Sequence, residues 1–260
     1  STRGVFGGGY QSSPLPNATV NIIDYIEIST LGNALDFGDL FTGRYSAGAV
    51  SNGIKAVWGG GAGPGTPSDK SDLQSVTIAA KGNAIRFGDL SYNRINAGGG
   101  SFSNSVRGVF AGAYKSGDTK LSLIEYATMS SLGNTTNFGD LSVNRACLRS
   151  CSTNTRALFG GGYFTTSPTA TGGTGDNRIE FVTIATTGNA VDFGEITATN
   201  TGNGSACPDG TRCVMKLGSG DGGNTTTTNV IEFIQKTYRT KEFIPLHAPI
   251  FMGNEKKYLN

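Results

Sequence analysis

Apolar positions along this chain are few, mostly β-branched or aromatic, and they alternate with polar ones over short runs. Gly, Asn, Ser and Pro interrupt the runs at short intervals. Alternation of period two between turn residues predicts short half-buried strands, and no stretch keeps a helical period beyond one turn. In residues 105–153 the pattern predicts four strands, at Ser105–Ala113, Leu121–Ser130, Thr135–Leu141 and Ala146–Thr153.

The pattern repeats. Gly32-Asn33-Ala34-Leu35-Asp36-Phe37-Gly38-Asp39-Leu40 returns at Gly82–Leu90, at Gly133–Leu141 and at Gly188–Ile196, and a worn copy lies at Lys241–Leu246. The anchor residues Phe37, Phe87, Phe138, Phe193 and Phe243 are 50, 51, 55 and 50 positions apart. A Gly-rich strand precedes each copy: Gly4–Gly9, Ala56–Gly61, Gly108–Ala113, Ala157–Gly162 and the degraded Cys213–Gly218. Between the two lies an aliphatic-polar-aromatic block, as in Ile124-Glu125-Tyr126 and Ile179-Glu180-Phe181.

Five units therefore fill the chain, at about 3–53, 54–105, 106–155, 156–210 and 211–260. A four-stranded sheet recurring every forty to fifty residues is the sequence mark of a β-propeller, because a lone sheet cannot cover both its faces and stacking supplies the partner. The expected fold is all-β: a single propeller domain, residues 1–260, of about five four-stranded antiparallel blades. The chain starts on the second strand of a unit, Arg3–Tyr10. A C-terminal strand around Ala248–Met252 or later is therefore expected to close the ring. The alternative is a larger ring with units upstream of Ser1. Phe37, Phe87, Phe138 and Phe193 are the expected plugs between blades, each contributing about 2–3 kcal/mol on burial.

These motifs resemble those of the kelch family of propellers, with its aliphatic-aromatic-Gly-Gly strand, its aliphatic-polar-aromatic strand and an Arg a few residues after the last aromatic. Here that Arg is Arg44, Arg94 and Arg145, with Asn200 breaking the series. The outer aromatic is Phe where kelch has Trp. The Gly-Asn-x-x-x-Phe-Gly-Asp-Leu version looks like kelch-like repeats of bacteriophage tail or appendage proteins. The resemblance covers the whole chain. It implies a non-enzymatic structural or adhesion role on a virion or extracellular surface, with other virion proteins or a cell-surface glycan as partners.

Composition narrows the chemistry. Lys+Arg 21 against Asp+Glu 19 leaves a net charge of +2, without the basic excess of a phosphate-neutralising nucleic-acid binder. No apolar run approaches the length of a membrane-spanning helix, and no basic segment followed by an apolar one opens the chain. The single histidine, His247, rules out a two-imidazole metal site within one chain and a kelch-type copper oxidase with it. No cofactor is expected.

Several motifs look chemical and are read as structural. Asp36-Phe37-Gly38 matches a kinase triplet but recurs without a catalytic loop. Gly7-Gly8-Gly9 and Gly59-Gly60-Gly61 lack the helix start of a phosphate cradle. Ser219–Thr225 fits the Ser-x-Asp-x-Gly-x-Thr box of sialidase propellers, but only once and in the wrong loop. The column Asp24, Glu125, Glu180 and Glu232 has one acid in each of four units. Glycosidases need a pair in distinct environments, so symmetry favours a blade-to-blade hydrogen bond or an ion pair with the repeat Arg. A carbohydrate-active enzyme and an intracellular kelch-type adaptor are the alternatives to an adhesion module.

Four cysteines remain. Cys147 and Cys151 lie too far apart along one strand to bridge. Cys207 and Cys213 flank Pro208–Arg212, a turn sequence, and are the candidate disulfide across a hairpin; unbridged buried thiols are the alternative. The variable element is the loop after each Gly-rich strand. Tyr10, Tyr114 and Tyr163 hold one position at its mouth, with Phe164 beside the last. Aromatics among Asn, Ser and Thr suit sugar stacking, so these four are the candidate ligand contacts, against a packing role at the loop bases.

Overall fold

The computed structural model describes residues 2–11, 18–65, 67–95, 100–115, 119–164, 174–200, 205–208, 212–216 and 231–235. Among these the chain is all-β, with no helix and with antiparallel pairing throughout. Five sheets follow in order. Sheet I holds β1 (Arg3–Gln11), β2 (Ala18–Glu27) and β3 (Leu35–Asp39). Sheet II holds β4 (Gly48–Ser51), β5 (Lys55–Gly59), β6 (Lys70–Thr77) and β7 (Ile85–Ile95). Sheet III holds β8 (Ser101–Ser103), β9 (Arg107–Ala111), β11 (Thr119–Thr128) and β12 (Thr136–Ala146), with the two-residue β10 (Tyr114–Lys115) between. Sheet IV holds β13 (Arg149–Ser152), β14 (Arg156–Gly160), β16 (Thr174–Thr183) and β17 (Val191–Asn200), with β15 (Tyr163–Phe164) between. Sheet V holds β18 (Ser205–Pro208), β19 (Arg212–Lys216) and β20 (Ile231–Gln235).

Within each sheet neighbouring strands are consecutive, as in a meander. The short strands β10 and β15 each pair back onto the last long strand of the sheet before, and so join sheets II to IV into one curled 14-stranded sheet. Sheets and sequence repeats are one strand out of phase. The predicted strand Ala146–Thr153 is split: Ala146 ends β12, while β13 crosses over and pairs with β14 of the next sheet. Sheet I correspondingly has three described strands. The C-terminal segment expected to supply a fourth, Ala248–Met252, lies outside the described residues, as do His247, Ser219–Thr225 and Phe243.

The repeated letters can now be read as junction hardware. In each of the first four sheets the Phe sits in a β-bulge. Ile124 pairs with Gly139 and Glu125 with Asn137, so Phe138 is the extra residue; Phe37, Phe87 and Phe193 are placed identically. A bulge re-aims a side chain, and here it turns the ring toward the next sheet. Phe37 packs with Trp58, Val76 and Ile78 of sheet II. Phe87 does so with Phe110 and Met129, and Phe138 with Phe159 and Ile184. All three are buried, whereas Phe193 is half-buried.

The Gly-Asn that opens each motif grips the Phe-Gly-Asp of the preceding sheet. Gly82 N–H donates to Phe37 O at 2.9 Å, Asp39 N–H to Asn83 Oδ1 at 3.0 Å, and Ala84 N–H to Asp39 O at 2.7 Å. Gly133-Asn134-Thr135 grips Phe87-Gly88-Asp89 with the same three bonds, and Gly188-Asn189-Ala190 grips Phe138-Gly139-Asp140 likewise. The backbones touch where the clasp closes. A Cβ on Gly88 would stand 1.9 Å from Gly133 O, and one on Gly139 2.2 Å from Gly188 O, so glycine is the residue that fits.

The terminal sheets lack a neighbour on one side among the described residues. Phe6 is 58% and Ile28 65% exposed, although their counterparts Phe110, Phe159, Met129 and Ile184 are fully buried. At the other end Ile231 is 68% and Phe233 50% exposed, where Ile124 is fully buried. The same positions are covered between the internal sheets.

Candidate recognition rim

Most of the buried charged groups serve the junctions. Arg44, Arg94 and Arg145 are fully buried, and each crosses to the next sheet. Each Nη1 donates to the carbonyl of a Gly in the Gly-rich strand: Gly60 at 2.9 Å, Gly112 at 3.2 Å and Gly161 at 3.2 Å. Each guanidinium also meets an acid. Arg94 ion-pairs with Glu125 at 2.9 Å, and Arg145 with both Glu180 and Asp176. Those acids reach back, since Ser91 N–H donates to Glu125 Oε1 at 3.0 Å and Ser142 N–H to Glu180 Oε1 at 2.9 Å.

Sheet II solves the same problem with different letters. Gln74 stands where Glu125 and Glu180 stand, and its Oε1 accepts the equivalent backbone bond, from Phe41 N–H at 2.9 Å. The negative charge has moved two residues back, to Asp72, which pairs with Arg44 at 2.5 Å. Burial pushes the Arg94 and Arg145 guanidiniums below their ordinary range, and Glu125, Glu180 and Asp176 oppose that push. Glu125 and Glu180 are therefore inter-sheet clamps, and they are not an acid–base pair facing solvent.

The variable segments follow the Gly-rich strands in sequence, with Tyr10, Tyr114 and Tyr163 among the described residues at their bases. Tyr10, at the end of β1, is 54% exposed and meets Tyr45 edge-on with centroids 5.4 Å apart. Tyr114 is half-buried; its backbone pairs with Ile95 of sheet II and with Lys120, whose Nζ lies 5.1 Å from its ring. Tyr163 is half-buried between Ala146 and Gly175. Phe164 is half-buried as well, with the Arg178 guanidinium 5.2 Å over its ring. In sheet II the equivalent residue is Ala62, bridged to Tyr45 and Asp69. Its loop is tied down by Lys70 Nζ, which donates to Pro64 O at 2.6 Å and Pro67 O at 2.8 Å.

The four candidate contacts are thus distributed, with Tyr10, Tyr114 and Tyr163 at one register in sheets I, III and IV and Phe164 beside Tyr163. Tyr114, Tyr163 and Phe164 lie on the short strands that splice sheets together, and Tyr10 is the most open. Residues the sequence did not single out join them: Tyr45, Tyr92 under Lys115 at 4.4 Å, Lys120 and Arg178. Among the described residues no group of three or more His, Cys, Asp and Glu is placed to hold a metal ion.

The disulfide differs from the expected one. Cys213 bonds Cys151, not Cys207, with Cα atoms 6.1 Å apart and a sequence separation of 62. In the β18–β19 hairpin Cys207 stands opposite Val214, while Cys213 faces Pro208. Cys213 is instead turned toward β13 of sheet IV, in the cluster of Leu158, Ile179, Met215 and Ile234. Cys147 is not disulfide-bonded.

No known family's sequence profile matches this chain, and no curated protein matches it by sequence. By shape it is similar to the solved structure of YjhT. The TM-score is 0.71 at 12% identity, over 89% of this chain and 78% of that one. At that identity the likeness concerns the fold alone.

Proposed function

We propose that the five sheets are blades of a kelch-like β-propeller, closed into a ring by the C-terminal segment, and that the molecule is a non-enzymatic adhesion or assembly module. Its place is a virion or extracellular appendage, and its partners are other appendage proteins or a cell-surface glycan met through the loop rim. One observation carries the reading. Arg44, Arg94 and Arg145 and the acids Asp72, Glu125 and Glu180, which are among the reactive-looking groups of the sequence, are consumed in sheet-to-sheet clamps, so what is left to vary is the set of loops beside Tyr10, Tyr114 and Tyr163. The matching exposed faces of sheets I and V support ring closure, because each carries one half of an interface used elsewhere in the molecule. The Cys151–Cys213 bond supports an oxidising location.

The test is a glycan array run beside a pull-down against the proteins of the parent particle. Binding that is lost in Tyr10→Ala, with the fold intact by circular dichroism, agrees with the proposal. Silence in both assays removes it. Turnover of a polysaccharide would replace it with a hydrolase.

A further inference from the structure

Sheets II to IV are each held to the sheet before by the same two devices; at sheet V the sequence keeps the acid of the clamp, Glu232, but lacks both its Arg and the Gly-Asn of the clasp. The repeat Arg is Asn200 in the fourth unit. The Gly-Asn of the clasp, present as Gly82-Asn83, Gly133-Asn134 and Gly188-Asn189, aligns with Tyr238-Arg239 in the fifth. At this same junction, and at no other among the described residues, a covalent bond crosses between sheets. Its position is telling. Cys151 stands where Val50 and Phe102 stand in β4 and β8, and Cys213 where Gly108 and Ala157 stand. At the junction of sheets II and III, Val50 packs directly over Gly108. At the junction of sheets IV and V that large–small apolar contact has become a disulfide.

We infer that sheet V is a redox-releasable closing element, stapled to sheet IV by Cys151–Cys213 in place of the clasp and clamp that hold the other sheets. The far side of sheet V is no better provided. The fifth copy reads Phe243-Ile244-Pro245, where the clasp needs Phe-Gly-Asp. Pro245 has no N–H to give to an Asn, and the internal clasps leave no room for the Cβ of Ile244. Among the described residues, sheet V is tied to sheet IV by this covalent bond and by the apolar contacts around Met215 and Ile234. A dithiol such as dithiothreitol supplies the two electrons and two protons that convert the bond to the Cys151 and Cys213 thiols, and itself closes to a cyclic disulfide. Both sulfurs belong to buried residues, so exchange follows local opening of this sheet, and reduction then holds it open. The inference stands on the sheet-to-sheet contacts and does not depend on ring closure or on any ligand.

The experiment is hydrogen exchange with mass spectrometry on the full chain, oxidised and after dithiothreitol, with peptide mapping to detect the linked Cys151–Cys213 pair. A Cys151→Val/Cys213→Gly variant, which copies Val50 and Gly108, serves as the unbonded but packed comparison. Reduction should lower protection of 205–216 and 231–235 by about tenfold or more, while 55–59 and 107–111 keep theirs. The variant should behave as the reduced protein does, or fall between the two forms. Equal loss of protection in all sheets, no loss in sheet V on reduction, or absence of the linked peptide from the oxidised protein would each overturn the inference. Glycan or partner binding does not enter this readout, so its failure is separable from failure of the proposed function.

Discussion

Sheet II shows how the clamp of sheet III can be rewritten. Glu125→Gln keeps the shape and the bond from Ser91 N–H but removes the carboxylate that, among the described residues, pairs with Arg94. Both side chains are fully buried. Breaking a buried pair from one side leaves an uncompensated charge and costs about 3–5 kcal/mol. The molecule already contains the remedy, since in sheet II the Gln is accompanied by an acid two residues earlier. Leu123 occupies that position in sheet III: it pairs with Asp140 as Asp72 pairs with Asp89. Adding Leu123→Asp to Glu125→Gln should therefore restore at least half of the lost stability, a coupling of roughly 2 kcal/mol. Urea unfolding followed by tryptophan fluorescence and circular dichroism measures both variants; Trp58 is the single Trp. A double variant no more stable than Glu125→Gln alone would refute the claim that the acid column exists to neutralise the repeat Arg.

Further outcomes follow from the same junctions. Phe138→Ala should cost about 3–5 kcal/mol by opening a cavity between sheets III and IV, and a loss under about 1 kcal/mol in denaturant unfolding would show that the ring is not a plug. Asn134→Ala removes the acceptor of the Asp89 N–H and should cost about 1–2 kcal/mol, read by the same unfolding curve, with protection lost first at 82–90 and 133–141. Gly139→Ala should exceed it, because the new Cβ meets the Gly188 carbonyl; a wild-type melting temperature would contradict the close approach. Tyr10→Ala should leave stability within about 0.5 kcal/mol while Tyr114→Ala costs more, since the latter ring lies on a strand that splices two sheets.

What the sequence revealed and what it hid divide along physical lines. The all-β fold and the five-fold repeat were legible because strands and turns recur in register, and the pairing of acid with Arg followed from their equal periodicity. The phase of the sheets was legible only in part: Arg3–Tyr10 reads as a second strand, while the unit bounds kept Ala146–Thr153 in the third unit. Gly48–Ser51 and Arg149–Ser152 follow the Phe-Gly-Asp-Leu strands closely in sequence, yet pair forward, and only the ladder shows it. The disulfide was hidden for a related reason. Cys207 and Cys213 look paired across a turn, but facing direction in a hairpin is set by register, and register turns Cys213 toward Cys151. On the rim, Tyr45 and Tyr92 went unnoticed because neither recurs in the repeat. No signal short of the folded backbone brings Tyr45 to Tyr10 or Lys115 to Tyr92.

The central claim is a ring whose repeated residues are fasteners. An experimental structure of the oxidised full chain tests it most directly, read at Phe6 and Ile28. The account predicts both buried against sheet V, with a strand from around residues 248–252 completing sheet I beside β1. Sheet I left open to solvent, or covered by a second copy of the chain, would contradict it.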